Sequence, residues 1–524
     1  MDNLTAEAER LYALGQLDEA AEACERALAL DGKAPEAWYG LGCVHVARKE
    51  HAAAIPCFRC AGALAPDDVQ ARHNLGQALF HMGQVDAALA EFQAAVALRD
   101  NLLSRTAIAV VIPGSPASGN QAILDARRAW ARRRLPPHNP AKPFPAVQPD
   151  PDRRIRIGYV SAFFHRGNWM KPVWALINRH DRERFEVHLF SDASQGQLEG
   201  GYRGHERDHS HDTSRLSNQE TAHLIERTGI DILVDLNSFS FVDRLAVLAL
   251  QPAPVLVAWF NLFATSGMAC LDYLIGDEWV VPPDEERFYT ERIVRVPGSY
   301  LTFEVTHPAP DVVPPPCLSR GALTFGSLAS QYKLTPQVLE TWAAILTRCP
   351  GSRLVIKNAA LGSPTNRAFL QERLAELNVA SDRVELDGPA PHFEFLSKYG
   401  EIDIALDPFP YNGGTTTTEA IWQGVPVLTF HGDRWASRTS ASILRAAGLD
   451  DFVARDRQDY VERAVALVAS PDTPARLEDL RLHMRERLRR SAVCDTAGFT
   501  AAMERAYVRM WRRWCRRRGD RTVI

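Results

Sequence analysis

The sequence has few features of exported, membrane-bound or disulfide-stabilised proteins. Its nine cysteines among 524 residues follow no regular spacing, which is typical of reduced thiols in the cytoplasm. No run of roughly eighteen apolar residues is present, so we expect no membrane span. The first residues, Met1 to Leu4, lack the basic and apolar segments of a secretion signal. These absences predict a cytoplasmic protein.

An excess of charge of one sign is also missing. The chain has 60 Lys and Arg against 64 Asp and Glu, a formal net charge of -4, so no overall basic field predicts nucleic-acid binding. Apolar residues make up 46% and charged residues 24%, as in folded globular proteins. At about 150 residues per domain, the length predicts roughly three domains.

The first hundred residues contain an internal repeat of 34 residues. Successive copies hold small or apolar residues at matching positions, namely Ala20, Ala54 and Ala88, then Cys24, Phe58 and Phe92, then Ala27, Ala61 and Ala95, with Gly42 and Gly76 in two of them. Small residues let paired helices approach closely, and the larger apolar residue fills the space between pairs. The pattern resembles the tetratricopeptide repeat and predicts about three repeats, which form a helical solenoid that binds protein or extended peptide.

Two proline-rich segments divide the rest of the chain. Seven prolines lie between Pro136 and Pro151, a density that excludes a regular helix or a central strand, and a second cluster follows between Pro308 and Pro316. After each cluster, short apolar segments alternate with helical ones. The predicted strands are 155–161, 185–190, 230–236 and 255–259, and then 322–326, 353–356, 384–386, 402–406 and 425–429. Such alternation predicts two doubly wound, Rossmann-like α/β halves with a ligand cleft between them.

The predicted division therefore has six parts. They are tetratricopeptide repeats (1–102), a helical segment with a proline-rich linker (103–152), a first Rossmann-like half (153–305), a second proline-rich linker (306–317), a second Rossmann-like half (318–490), and a basic amphipathic helix (491–524). On that last helix, four apolar residues form one stripe, namely Tyr507, Met510, Trp511 and Trp514. We expect the stripe to dock across the two α/β halves; binding to an anionic membrane is the alternative.

The most informative segment runs from Asp407 to Pro426. A predicted strand ends just before it, Gly413 and Gly414 permit a tight turn, and four threonines then begin a helix. Free backbone N–H groups and hydroxyls at such a helix start bind anions. Glu419 lies one turn later, where a carboxylate can accept hydrogen bonds from sugar hydroxyls. The segment predicts a nucleoside diphosphate site, against the alternative of an ordinary turn with a capping threonine.

This segment resembles the donor-binding motif of the O-GlcNAc transferase family (glycosyltransferase family 41), in its bacterial SPINDLY-type branch with N-terminal tetratricopeptide repeats. The resemblance covers about residues 153–470. The other segments that carry it are Gly158–Ser161, Asp235–Asn237, Leu250–Pro254 with Trp259, Thr265–Gly267, Gln331–Lys333, Asp403–Asp407 and Ala436–Arg438. It implies the GT-B fold, in which two Rossmann-like halves enclose a cleft.

The resemblance also implies an activity. The family transfers a sugar with inversion and without a metal, by default GlcNAc from UDP-GlcNAc, to serine or threonine of a protein or peptide acceptor that the repeats hold. Related branches use GDP-fucose or UDP-glucose, and the latter can modify asparagine. The donor and the acceptor therefore stay open, as does the oligomeric state, for which a homo-oligomer is one possibility.

Site residues follow from the same resemblance. Lys333 occupies the position of the lysine that neutralises the donor diphosphate. Thr415 and Thr416 match threonines that contact phosphate, and Glu419 stands where the family has an acidic ribose ligand. The other implied donor-site residues are Gln331, His392, Asn412, Gly413 and Gly414. No metal or other cofactor is implied.

Several positions depart from the family pattern. The family commonly has histidines shortly after the first strand, and here those positions hold Gly167 and Lys171. A histidine that usually lies three residues beyond His392 is Phe395. His165 lies close by, and it and the departing phosphate are the two candidates for accepting the acceptor's proton. The departures leave two alternatives open, an inactive scaffold that binds nucleotide sugar, and a transferase that acts on small molecules or glycans.

Two further clusters have residue types that bind metals. His205, His209 and His211 crowd one polar stretch, which we expect to be a loop without a metal. Cys57 and Cys60 have the spacing of a redox or zinc pair, but they lie inside a predicted repeat helix without a second pair of ligands. We expect these cysteines to pack rather than to bind a metal.

Overall fold

A computed structural model describes residues 2–193, 196–198 and 200–519. The N-terminal part is an array of six helices in three pairs. They are α1 (Asp2–Ala13), α2 (Leu17–Leu30), α3 (Pro35–Ala47), α4 (His51–Leu64), α5 (Val69–His81) and α6 (Val85–Leu98). The glycines let neighbouring helices approach closely, as the repeat predicts. A Cβ on Gly42 would lie only 2.6 Å from the ring of Phe58, and one on Gly76 only 2.6 Å from that of Phe92, so a side chain at either position would push the helices apart.

Two more helices join this array to the α/β region. They are α7 (Leu102–Val111) and α8 (Asn120–Arg134), and the proline-rich segment after them contains neither helix nor strand. The buried guanidinium of Arg127 on α8 donates to the carbonyl oxygen of Ala109 at 3.0 Å and to that of Thr265 at 2.7 Å. The connecting helices are therefore packed against the first α/β half and do not form a free linker.

The first half contains a seven-stranded parallel sheet in the order β3-β2-β1-β4-β5-β6-β7. Its strands are β1 (Ile155–Ser161), β2 (Phe185–Ser191), β3 (His209–Asp212), β4 (Ile232–Asp235), β5 (Val255–Ala258), β6 (Tyr273–Asp277) and β7 (Arg292–Val296). The helices α9 (Lys171–Ile177), α10 (Asn218–Thr228) and α11 (Leu245–Ala249) belong to this half. All four strands that the sequence predicts here are present.

The prediction of a loop at the histidine cluster was wrong in part. His209 and His211 lie on β3, which pairs with β2 at the edge of the sheet, whereas His205 lies in the turn before it. A four-residue polar strand has no apolar alternation to reveal it, and it forms because β2 offers a partner. The strands β6 and β7 were not predicted either.

The second half has a six-stranded parallel sheet in the order β10-β9-β8-β11-β12-β13. Its strands are β8 (Thr324–Ser327), β9 (Arg353–Lys357), β10 (Val384–Asp387), β11 (Ile404–Leu406), β12 (Val427–Phe430) and β13 (Val453–Ala454). Its helices are α12 (Cys317–Arg320), α13 (Pro336–Arg348), α14 (Pro364–Glu376), α15 (His392–Ser397), α16 (Thr415–Trp422), α17 (Thr439–Ala446), α18 (Arg457–Ala469) and α19 (Thr473–Arg489). The predicted fold class, repeats followed by two Rossmann-like halves, is confirmed.

The strand order reverses between β8 and β11, and between β1 and β4 in the first half. Ligands of doubly wound sheets bind at such points, beyond the carboxyl ends of the strands. The two halves are joined beside the cleft by Arg438, whose guanidinium makes hydrogen bonds of 2.8 and 2.6 Å to the carboxylate of Glu285. Ser442 adds a hydrogen bond of 2.6 Å to Asp277.

The repeat array packs on the second half. The ring of Phe80 stacks on that of Tyr332 with centroids 5.1 Å apart, and the side-chain amide of Asn366 donates to the carbonyl oxygen of Lys49 at 2.8 Å. The contact at Tyr332 is adjacent in sequence to Lys333. The array therefore reaches the edge of the predicted donor site.

The last helix, α20 (Thr496–Gly519), packs on the first half. Tyr507 and Trp511 are fully buried, and the indole N–H of Trp511 donates to the carbonyl oxygen of Asp150 at 2.8 Å. The stripe docks on the protein rather than facing a membrane. The expectation that it crosses both halves was wrong, because Tyr507 packs on His180 and Phe185 of the first half and Trp514 on Phe144 of the linker before it. Among the described residues, no helix combines the length and the apolar character that a membrane span requires.

Candidate active site

The turn between β11 and α16 is held by a buried carboxylate. Asp407 accepts a hydrogen bond of 2.8 Å from the backbone N–H of Gly413 and one of 2.7 Å from the hydroxyl of Thr429. Burial raises the pKa of Asp407 to about 6, and these hydrogen bonds act in the opposite direction. A Cβ on Gly413 would lie 2.5 Å from the hydroxyl of Thr417 and 2.6 Å from that of Thr416, so a larger residue here would displace the hydroxyls at the helix start.

The four threonines at the start of α16 divide into two pairs. Thr417 hydrogen-bonds Ser440 at 2.7 Å, and the hydroxyl of Thr418 donates to the carbonyl oxygen of Thr415 at 2.8 Å. In the part of the chain that the structure describes, the hydroxyls of Thr415 and Thr416 have no such partner, and no side chain caps the helix. The first two hydroxyls and the backbone N–H groups of the first turn are thus available to an anion.

Lys333 lies beside this helix start. Its Nζ donates to the carbonyl oxygen of Asn412 at 2.7 Å and lies 4.3 Å from the centre of the Tyr411 ring. Burial lowers the pKa of Lys333 to about 8, while the nearby Asp407 carboxylate opposes that shift. Lysine charge, helix N–H groups and threonine hydroxyls therefore meet around one turn, as the sequence predicts.

Gln331 lies on the same short 3-10 turn as Lys333. Its side-chain oxygen accepts a hydrogen bond of 3.2 Å from the amide of Asn358, and the residue is buried. The turn therefore has a fixed position relative to β9, which ends next to Asn358. Gln331 supports the position of Lys333 in addition to its predicted contact with the donor.

Glu419 joins residues from both halves of the protein. Its Oε1 accepts a hydrogen bond of 2.6 Å from the amide of Asn168 in the first half and lies 3.0 Å from Nε2 of His392 in the second. Burial acts to raise the pKa of Glu419, but the hydrogen bonds from His392 and Asn168 and the charge of Lys171 lower it overall. A buried anionic carboxylate thus lies one turn beyond the uncapped start of α16.

Lys171 lies on the other side of this carboxylate. It is 3% exposed, its Nζ donates to Asn168 at 3.3 Å, and burial lowers its pKa to about 8 against the charge of Glu419. The ring of His307, from the segment between the halves, contacts that of His392 with centroids 4.9 Å apart. The polar cluster Asn168, Lys171, His307, His392 and Glu419 therefore spans the cleft.

The structure does not bring His165 into this cluster. Its Nδ1 is buried without a hydrogen-bond partner, and Nε2 accepts at 3.4 Å from the neighbouring Arg166. Among the described residues, no hydrogen bond or ring contact joins His165 to Lys333 or Glu419. His165 lies on the loop after β1, at the carboxyl edge of the first sheet.

The replacement of a family histidine by Gly167 has a steric reason. A Cβ at this position would lie 2.3 Å from the carbonyl oxygen of Gly200 and 2.6 Å from its Cα. Any side chain at Gly167 would require the loop at Gly200 to move. Phe395, at the other altered position, packs against the hydrophobic core.

Sequence reasoning missed the roles of Asn168, Asp407, Tyr411 and His307. Lys171 was noticed only as a departure from the family pattern. A lysine at the start of an otherwise apolar helix was the available signal, since burial of a lysine normally requires a partner charge. The partner, Glu419, lies in the other half of the chain, so sequence distance hid the pair.

The fold and the site define a class of protein. Two Rossmann-like halves that enclose a cleft, with an anion-binding helix start in the second half, form the GT-B arrangement of glycosyltransferases that use nucleotide sugars. Within that class, the chain belongs to glycosyl transferase family 41, whose model matches residues 135–307 and 317–503. A tetratricopeptide repeat model matches residues 5–61 and 56–101.

Named relatives agree with this assignment. The chain is 33% identical over 381 residues to the probable UDP-N-acetylglucosamine–peptide N-acetylglucosaminyltransferase SPINDLY of Petunia hybrida, covering 70% of this chain and 40% of that protein. For the protein of the same name from Arabidopsis thaliana, the identity is 33% over 401 residues, covering 75% of this chain and 43% of that protein. The chain thus spans about two fifths of the length of these relatives.

A solved structure resembles the whole chain. It is that of a lysine-to-methionine mutant of the O-GlcNAc transferase from Thermobaculum terrenum, with 35% identity and a TM-score of 0.80. The match covers 98% of each chain, so it includes the repeats as well as both α/β halves.

Proposed function

We propose that this protein is an inverting, metal-independent glycosyltransferase that moves a sugar from a nucleoside diphosphate to serine or threonine of other proteins. The observation that carries the proposal is Lys333, whose Nζ lies 2.7 Å from the carbonyl oxygen of Asn412 at the uncapped start of α16. Positive charge and free hydrogen-bond donors meet where a diphosphate would leave. Such donors stabilise charge that develops on a leaving group.

The same arrangement supports the proposed metal independence. Lys333 supplies a cation, and the first turn of α16 supplies the positive end of the helix dipole, with the hydroxyls of Thr415 and Thr416 beside it. These groups can neutralise a diphosphate as a divalent ion does in other transferases. We expect turnover to continue in the presence of a chelator.

UDP-GlcNAc is the first donor to test, since the relatives are named as enzymes that use it. GDP-fucose and UDP-glucose are the alternatives. In the proposed arrangement, the ribose hydroxyls contact Glu419, and the sugar extends toward Asn168 and Lys171 of the first half. Either His165 or the departing phosphate accepts the proton from the acceptor hydroxyl.

The acceptor protein is proposed to contact the repeats. A groove in the array is lined by Tyr12, Glu36, Tyr39, Asp68, Gln70 and Asn74. The amide of Asn74 donates to the hydroxyl of Tyr39 at 3.0 Å, which fixes polar groups that can pair with an extended peptide. Because the array packs beside Lys333 through Tyr332, a peptide in this groove can continue toward the cleft.

The test is a donor and acceptor panel. The protein is incubated with UDP-GlcNAc, UDP-glucose or GDP-fucose, with and without EDTA, and release of the nucleoside diphosphate is measured together with the mass and position of any sugar on a peptide library. We expect one donor to be turned over equally in both conditions, with the sugar on serine or threonine. Failure of every donor would leave the inactive scaffold as the better description. Loss of turnover in EDTA would exclude metal independence, and sugar on asparagine would change the acceptor.

A further inference from the structure

Four polar side chains gather on one face of the first sheet, at its β2–β3 edge. The two strands are parallel, with His188 opposite His209 and Phe190 opposite His211. Because side chains alternate along a strand, Glu186 and His188 of β2 share a face with His209 and His211 of β3. Glu186 and His188 lie before the carboxyl end of β2, whereas the cleft faces the carboxyl ends. This cluster is therefore separate from the donor site.

Three of these side chains converge on one point. Nε2 of His188 lies 3.0 Å from Oε1 of Glu186, and Nε2 of His209 lies 3.7 Å from the same oxygen. One ligand atom from each residue lies within 4.8 Å of the others. Tetrahedral zinc, with bonds of about 2.0–2.1 Å, separates its ligand atoms by roughly 3.3 Å. Only small side-chain adjustments are therefore needed to bind such an ion.

A second layer orients the central imidazole. Nε2 of His211 lies 3.1 Å from Nδ1 of His188, so one ring nitrogen of His188 is engaged while the other points to Glu186. Metal-bound histidines are usually held in this way through the nitrogen that does not bind the metal. The rings of His188 and His209 are also stacked, with centroids 4.6 Å apart.

Two guanidinium groups lie beside the carboxylate of Glu186 and limit its affinity for a metal ion. Arg154 Nη1 is 3.8 Å from Oε2 of Glu186, and Arg156 Nε is 3.7 Å from Oε1. Their positive charge opposes a cation, so the three ligands must outweigh this repulsion. We therefore expect weaker binding than at a closed structural zinc site.

We propose that Glu186, His188 and His209 form a binding site for a divalent transition metal, with zinc as the preferred ion. Imidazole and carboxylate ligands suit zinc, and three protein ligands leave a fourth position for water. The side chain of His209 is 51% exposed, which gives the ion access from solvent. The ion would join the four-residue edge strand β3 to β2, so its effect is on the stability of this edge and not on sugar transfer.

The test uses the full chain after treatment with a chelator. Zinc chloride is titrated by calorimetry, and Co²⁺ is used as a spectroscopic probe because tetrahedral coordination gives it a distinct visible absorption. We expect one Zn²⁺ per chain and a rise in Tm on binding. His209→Ala and Glu186→Gln are expected to weaken binding at least tenfold. His188 is buried, so the half-exposed His209 is the safer variant for folding.

His205→Ala and His223→Ala are the matched controls, since both residues are exposed and lie outside the cluster. They are expected to bind zinc as the original chain does. Absence of zinc binding to the folded chain, or an equal loss in His205→Ala and His209→Ala, would overturn the proposal. Turnover of nucleotide sugar is expected to be the same with and without bound zinc, which separates this result from that of the donor panel.

Discussion

Asn168, on the loop after the first strand, donates a hydrogen bond of 2.6 Å to Glu419 on the helix that begins the donor site in the other half. The two residues are 251 positions apart in the chain. Their contact shows that the first half takes part in the environment of the predicted ribose ligand. A carboxylate held by Asn168 and His392 is also fixed in position before any donor binds.

Replacement of Glu419 is the first prediction. Glu419→Gln retains the shape of the side chain but removes the charge that a ribose hydroxyl would contact. Hydrogen bonds to charged groups contribute about 1.5–3 kcal/mol, so we expect UDP to bind roughly ten- to a hundredfold more weakly. Calorimetric titration of UDP measures this directly.

Glu394→Gln is the control for that experiment, because Glu394 is exposed on α15, the helix that begins with His392. It is expected to bind UDP like the original chain. Unchanged UDP affinity in Glu419→Gln would exclude the carboxylate as a ribose ligand.

The second prediction concerns the charge at the diphosphate. Lys333→Ala should reduce donor turnover by about 10²–10³, since loss of one transition-state contact to a developing anion costs about 2.7–4 kcal/mol. Tm should change little, because the stabilisation from the hydrogen bond of Lys333 to Asn412 is offset by the cost of burying the lysine's charge. Lys33→Ala, at an exposed position of the repeats, is the control. Turnover near that of the control would refute the assignment.

The third prediction is the pH dependence of turnover. Burial lowers the pKa of both Lys333 and Lys171 to about 8, so both are charged below that pH and become neutral as the pH rises through it. The kcat/KM for the donor should therefore fall above about pH 8. Lys333→Arg keeps its charge at high pH. If kcat/KM of Lys333→Arg no longer decreases above pH 8, deprotonation of Lys333 causes the decrease in the original chain. If kcat/KM of this variant still decreases, deprotonation of Lys171 is the cause.

The fourth prediction separates donor chemistry from acceptor binding. Deletion of residues 1–102 would also remove Phe80, whose ring stacks on Tyr332 next to Lys333, and could therefore disturb the donor site. A point substitution in the groove is the cleaner test. Asn74→Ala in the groove should reduce transfer to protein several-fold and leave donor hydrolysis unchanged. Arg59→Ala, an exposed repeat residue outside the groove lining, is the control. An equal loss of both activities in Asn74→Ala would contradict acceptor binding by the groove.

The fifth prediction concerns the C-terminal helix. The double variant Trp511→Ala with Trp514→Ala should lower Tm by several degrees, since truncation of a buried aromatic costs about 3–5 kcal/mol. Trp511 should contribute most of the loss in Tm, because it is fully buried and hydrogen-bonded to Asp150, whereas Trp514 is half-buried. Leu482→Ala, at a position 73% exposed, is the control and should leave Tm unchanged. A double variant that melts like the control would show that this contact does not stabilise the fold.

The repeat array and the apolar strands could be predicted because their signals are local. A glycine in one helix and a phenylalanine in the next, repeated after 34 residues, can be recognised without knowledge of the rest of the chain. The same holds for the turn after β11, where Gly413 and the threonines are consecutive. The strand β3 could not be predicted, because its polar residues become a strand only when β2 lies beside them.

The sequence by itself determined that repeats precede two Rossmann-like halves, and its resemblance to a known family predicted the GT-B class and a donor site at Lys333 and the turn before Thr415. The tertiary structure decided which distant groups join them. It placed Asn168 and Lys171 against Glu419, left His165 outside that cluster, and left no space for a side chain at Gly167. Hydrogen bonds and charge interactions act over a few ångströms of space. Distance along the chain does not reveal which residues will be that close, so only the packing of the two halves could establish these contacts.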